Sequence, residues 1–122
     1  MIYIPVSVGE LFDKISILQI KLKHVKDTDK LKNIQKEYDH LTILSKRYQF
    51  LIHPEILIAL KEVNAKLWNI ESNIRQLEQK HQFDTEFIEL ARSVYINNDI
   101  RADLKKQINN ITQSDLVEEK EY

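Results

Sequence analysis

The sequence predicts an all-α fold: an antiparallel four-helix bundle made of two helical hairpins, with a short extended N-terminal arm and a polar C-terminal tail. Three observations predict it. Apolar residues recur at alternating spacings of three and four in four successive segments. The only glycine and both prolines stand near helix starts or in connectors, so none breaks a helix interior. The connections are short, which makes consecutive helices antiparallel neighbours. A length of 122 residues suits a single domain, 1–122, able to bury roughly two thirds of its unfolded surface.

In the arm, Ile2, Ile4 and Val6 alternate with Tyr3 and Pro5, as in an extended segment. Ser7 and Glu10 then have capping-box spacing, and Val6 with Leu11 has that of a hydrophobic staple, so a first helix spans about 8–26. Its core face is Leu11, Ile15, Leu18, Leu22 and Val25. Lys26, Asp27, Thr28 and Asp29 provide a turn and an N-cap for a second helix over about 29–49, carrying Leu31, Ile34, Tyr38, Leu41, Leu44 and Tyr48.

His53-Pro54 separates the second helix from the third, because the residue before proline disfavours helical geometry whereas Pro54 suits a first turn. The third helix, about 54–81, has the cleanest period: Ile56, Leu60, Val63, Leu67, Ile70, Ile74 and Leu77. Asp84 caps a fourth over about 85–112, with Phe83 and Ile88 at staple spacing. Gln113 to Tyr122 is polar and acidic around Leu116 and Val117, and either terminal arm can dock on the bundle.

The fourth helix carries the most informative irregularity. Its core stripe runs Phe87, Leu90, Val94, Asn97, Arg101, Leu104, Ile108 and Ile111, so an amide and a guanidinium occupy core-type positions. An unpaired charge there costs several kcal/mol and needs a carboxylate, an anion or water. With up-down-up-down topology, Arg101 falls level with Asn64, Ser16 and Asp39, and Asp13, Trp68, Asn97 and Asn98 lie within about one turn. Asn97, Asn98 and Asp99 are mediocre helix formers, which favours a local bend or a second N-cap.

Two readings of that level follow. In the structural one, Arg101 pairs with Asp39 or Asp13 and fixes helix register. In the functional one, Arg101 clamps a carboxylate or phosphate, Trp68 forms an apolar wall, and Asn64 and Asn97 orient the ligand. The structural reading is preferred.

Other chemistry finds less support. Glu37 with His40 and Glu78 with His81 have the Glu-x-x-His spacing of carboxylate-bridged di-iron bundles, but in a simple hairpin they are separated by roughly 20 Å along the axis. No metal site or cofactor is expected. There is no His-x-x-x-His pair, nucleophile motif or Gly-rich phosphate loop. Glu10, Asp13 and Lys14 are read as ordinary first-turn charges, and Arg75 and Arg92 as locally paired with Glu71 and Glu89. Eighteen basic against nineteen acidic side chains give no footprint for nucleic acid. Without cysteine there are no disulfides or thiolate ligands. No stretch approaches the roughly 20 apolar residues of a membrane span, and no secretion signal opens the chain, so a cytoplasmic protein is expected and the triplet Asn110-Ile111-Thr112 carries no weight.

The connector Tyr48, Phe50, Leu51 and Ile52 is apolar where helix-to-helix turns are normally polar. It either folds back over its own bundle or meets a second subunit, helped by the overhang of helices three and four beyond the first pair, and homodimerisation is preferred.

Four stretches carry a resemblance. They are Ile4-Pro5-Val6-Ser7-Val8-Gly9-Glu10-Leu11-Phe12-Asp13-Lys14-Ile15; Leu67-Trp68-Asn69-Ile70-Glu71 with Ile74-Arg75; Phe87 to Tyr95 with Asn98-Asp99 and Arg101-Ala102; and Leu116-Val117-Glu118-Glu119-Lys120. Together they resemble a family of small bacterial and phage proteins known as a domain of unknown function. The resemblance implies a bacterial or phage cytoplasmic protein and brings no activity or catalytic residues. A looser comparison is the all-helical chorismate mutases, whose basic interior Lys14, Arg75, Arg92 and Arg101 imitate. The first helix here has no arginine, and the turn at Asp27 to Asp29 splits the long opening helix of those enzymes, so the chain is not read as a mutase. The sequence therefore leads to a noncatalytic, self-associating helical interaction module, with a small-anion pocket around Arg101 as the alternative.

Overall fold

The computed structural model describes residues 1–122 and contains four α-helices and no strand. They are α1 (Val8–His24), α2 (Thr28–Ser45), α3 (Pro54–Gln79) and α4 (Thr85–Thr112), with one 3₁₀ turn, Gln49–Leu51, between α2 and α3. Ser7 accepts from the Glu10 amide and Asp84 from Phe87 as the sequence predicts, and within the expected Lys26–Asp29 turn it is Asp27 that caps α2, accepting from Lys30; each satisfies a donor that the first turn leaves free. The staples are weak, because Val6, Phe83 and Ile88 all remain largely exposed.

Two helices end earlier than their periodicity suggests. α1 stops at His24, since Asp27 is taken as the cap of α2. α2 stops at Ser45, after which the Tyr48 amide bonds back to the Ser45 carbonyl and the chain tightens so that Ile52 enters the core before Pro54. α3 and α4 end in residues with left-handed backbone, His81 and Gln113, where amide bonds from Gln82 to Leu77 and from Ser114 to Asn109 close six-residue loops. α4 is continuous through Asn97 to Asp99, and the expected bend is absent: the Asn97 amide donates to the Ser93 carbonyl of its own helix.

α1 is the hub of the bundle. It packs against α2, α3 and α4, and α3 and α4 form the most extensive pairing. Accordingly Val8, Leu11, Phe12, Ile15, Leu18 and Ile20 are all buried, a wider arc than one stripe. α2 lies on α1 with at most marginal contact to the other helices, and only Ser45 of its residues is buried. Leu44, expected in the core, is exposed for that reason, and Ile111 emerges at the end of α4. The central core joins Val8 and Phe12 of α1, Ile52 of the connector, Leu60 and Val63 of α3, and Leu104 and Ile108 of α4. No helix is long and apolar enough to cross a membrane.

Candidate functional site

The buried polar groups gather where α1, α3 and α4 meet. Asp13 faces inward because it lies on the arc between Phe12 and Ser16 that α3 and α4 jointly cover, and it is fully buried. Arg101 reaches it from α4 as a fork: Nε donates to Oδ1 at 2.8 Å and Nη2 to Oδ2 at 2.5 Å. From α3, Asn64 Nδ2 donates to Asp13 Oδ1 at 2.9 Å and to Ser16 Oγ at 2.7 Å. Ser16 in turn donates to the Asp13 carbonyl. No buried side-chain nitrogen or oxygen is left without a partner.

Burial pushes the Asp13 carboxyl up. The hydrogen bonds from Arg101 and Asn64, with the charges of Arg101 and Lys105, outweigh that push and hold it below the ordinary aspartate value. The reciprocal bond to Asp13 raises Arg101 above its usual range. One turn further along α4, burial pushes Lys105 down, but its hydrogen bond to Glu10 and the charges of Asp13, Glu10 and Glu118 leave it raised. Lys105 Nζ lies 2.7 Å from Glu10 and 3.4 Å from Glu118 of the tail.

That second layer ties both chain ends to α4. The Gly9 amide donates to Asn109 Oδ1 at 2.7 Å, and the Val8 amide to Ser114 Oγ at 3.0 Å. The approach is possible only at glycine, because a Cβ on residue 9 would sit 2.5 Å from the Lys105 carbonyl oxygen. Glu118 also accepts from Ser7, and Lys120 pairs with Asp99. Of the two arms, the C-terminal one is strapped to the bundle, whereas Met1, Ile2, Tyr3 and Ile4 project into solvent.

Of the candidate residues, the fold brings Arg101, Asp13 and Asn64 into one network. Asn98 stands at its edge, its Oδ1 3.4 Å from Arg101 Nη1. Asn97 is buried beside it but bonded within α4. Trp68 is half-buried and stacked on His24, with ring centroids 5.3 Å apart. Asp39 is a correction: it lies exposed on α2, accepting from Gln35 one turn away, because Tyr38 and Leu41 take the α1-facing positions. Arg75 and Arg92 form none of the four ion pairs, so the expected pairing with Glu71 and Glu89 does not occur. Glu37, His40, Glu78 and His81 are exposed, and no group of three or more His, Asp or Glu residues gathers to hold a metal.

Sequence reasoning missed Lys105, Asn109 and Gly9. Lys105 lies one turn after Arg101, and Gly9 is the chain's only glycine, standing in the first turn of α1, where a close approach by another element favours a residue without Cβ. Those were the available signals.

The model of a family described as "Family of unknown function (DUF6165)" matches residues 2–122. The comparisons with curated proteins and with solved structures gave no match.

Proposed function

The chain belongs to that family of unknown function, and we propose that it is a noncatalytic assembly module pairing with a second copy of itself. The pairing surface is the end of the bundle where α1 begins and α2 finishes. One observation carries this reading: the connector, the end of α2 and the N-terminal arm all expose large apolar side chains there. Ile52 and Tyr48 pack with Val8 and Phe12, which places the connector beside the root of the N-terminal arm. Around that junction Phe50 is 79% exposed and Ile43 67%, with Leu44 and Leu51 also exposed, and the arm adds Ile2 at 89% and Ile4 at 71%. Large apolar side chains exposed together at one end of a bundle favour an interaction site there.

A second copy suits the surface best. A two-fold pairing sets each copy's connector and arm against the same elements of its partner, so one apolar patch covers both. The arm has no internal hydrogen-bonding partner over residues 1–6, and two such arms meeting antiparallel satisfy each other's backbone groups. α2, held by α1 alone, gains the neighbour it lacks. The saturated network around Asp13 agrees with this reading, since its carboxylate oxygens and the Asn64 amide are already engaged.

Sedimentation at micromolar concentration tests the proposal with the parent chain and the double variant Phe50→Asp, Leu51→Asp. The parent sediments as a dimer and the variant as a folded monomer with unchanged helical circular dichroism. A monomeric parent across the micromolar range, or a variant that stays dimeric, refutes it.

A further inference from the structure

A cleft of about 680 Å³ opens beside the Asp13 network, between the second half of α1 and the middle of α3 and α4. Its volume lies in the range of small-molecule sites. Ile17 and Ile20 of α1 and Trp68 of α3 supply apolar walls, and stacking on His24 holds the Trp68 ring. The same cleft is lined by Glu71, Arg75 and Arg101.

The charged groups are only partly used by the fold. Arg101 commits Nε and Nη2 to Asp13, but the acceptor of Nη1 is Asn98 Oδ1 at 3.4 Å, a long contact for a guanidinium. Arg75 and Glu71 stand one helical turn apart, and neither forms an ion pair or a side-chain hydrogen bond. With the Arg101 charge balanced by Asp13, the cleft holds one free cation and one free anion. A simple anion would gain Arg75 and be repelled by Glu71, whereas a ligand bearing both signs satisfies each.

We propose that this cleft binds an α-amino acid with an apolar side chain. The ligand carboxylate lies against Arg75 and against Nη1 of Arg101, whose long contact to Asn98 leaves it hydrogens to donate, its ammonium against Glu71, and its side chain on Ile17, Ile20 and Trp68. This site is separate from the pairing surface at the other end of α1.

Trp68 is the only tryptophan, so its fluorescence reports on the cleft alone. Titration calorimetry and Trp fluorescence are followed with L-phenylalanine and L-leucine, with hydrocinnamate and phenethylamine as analogues lacking the ammonium and the carboxylate. Saturable binding of at least one amino acid is expected, with both phenylalanine analogues weaker by about tenfold or more. Arg75→Gln, at an exposed position that pairs with nothing, loses about tenfold in affinity for that amino acid while melting unchanged. Three results overturn the proposal: no saturation with either amino acid at millimolar concentration, hydrocinnamate binding as tightly as L-phenylalanine, or Arg75→Gln binding like the parent.

Discussion

Replacing Arg101 by leucine removes one half of the buried pair while leaving an apolar side chain of useful size in the core stripe. Asp13 keeps only Asn64 as a side-chain donor, and its own side chain is 1% exposed, so water replaces the lost fork only in part. Stranding a buried charge costs about 3–5 kcal/mol. Arg101 itself is 28% exposed, which lets some solvent approach as the larger group is lost and puts the expected cost near the lower figure. With an unfolding entropy of about 2.1 cal/mol/K per residue over this chain, 3 kcal/mol corresponds to a fall in Tm of about 12 °C. Urea unfolding of parent and variant at one protein concentration measures the difference directly, since the melting of a dimer depends on concentration. The deficit must also shrink as pH falls: protonation neutralises the stranded Asp13 in the variant, while the parent loses its own pair. A variant within about 0.5 kcal/mol of the parent, the range of an ordinary surface substitution, refutes the assignment of Arg101 as the partner that makes a buried Asp13 tolerable.

Two further outcomes follow from the same framework. Gly9→Ala sets a methyl group against the Lys105 carbonyl and Asn109, and forces α1 away from α4 at a cost of about 1–3 kcal/mol in chemical denaturation; a neutral effect would show that the helix crossing is looser than described. The acid limb of stability belongs in part to Asp13. Because its folded pKa is depressed, its contribution is complete above the unfolded aspartate value of about 3.9 and is lost as pH falls through the folded value, so stability rises with pH across that window. Asp13→Asn flattens this limb in pH-dependent melting, and an unchanged slope would assign the acid sensitivity elsewhere.

Much of this architecture was legible because helices announce themselves locally. Ser7, Asp27, Asp84 and Pro54 fix four starts, and the period of α3 names its buried face almost residue by residue. Equal distances from each turn put Asn64 and Ser16 level with Arg101 and Asp13 within about one turn of it, and hydrogen bonds join these four residues in the structure. Such counting failed at Asp39 because it gives height along the axis and says nothing of rotation about that axis; only the packing of Tyr38 and Leu41 on α1 sets that angle. It failed at Asn109 and Ser114 because a side chain capping another element's amide leaves no periodic trace. The uneven share of contacts was hidden as well, since α2 carries an apolar stripe like the others yet packs on one neighbour. For the cleft, Trp68 and Arg101 were visible as candidates, whereas Arg75 and Glu71 looked like an ordinary surface pair until no such pair formed.

The buried fork also fixes an order of events at the ribosome. Asp13 leaves the exit tunnel 88 residues ahead of Arg101, the group that makes its burial tolerable. At about 5–20 residues per second, the first helix waits roughly 4 to 18 s for its counter-charge. Until α3 follows, α2 shelters only one side of it, and the part of the arc from Val8 to Ile20 that α4 covers stays open longer still. A nascent chain of this protein is therefore exposed to chaperones, and to misassembly with its neighbours, from the emergence of α1 until α4 has followed.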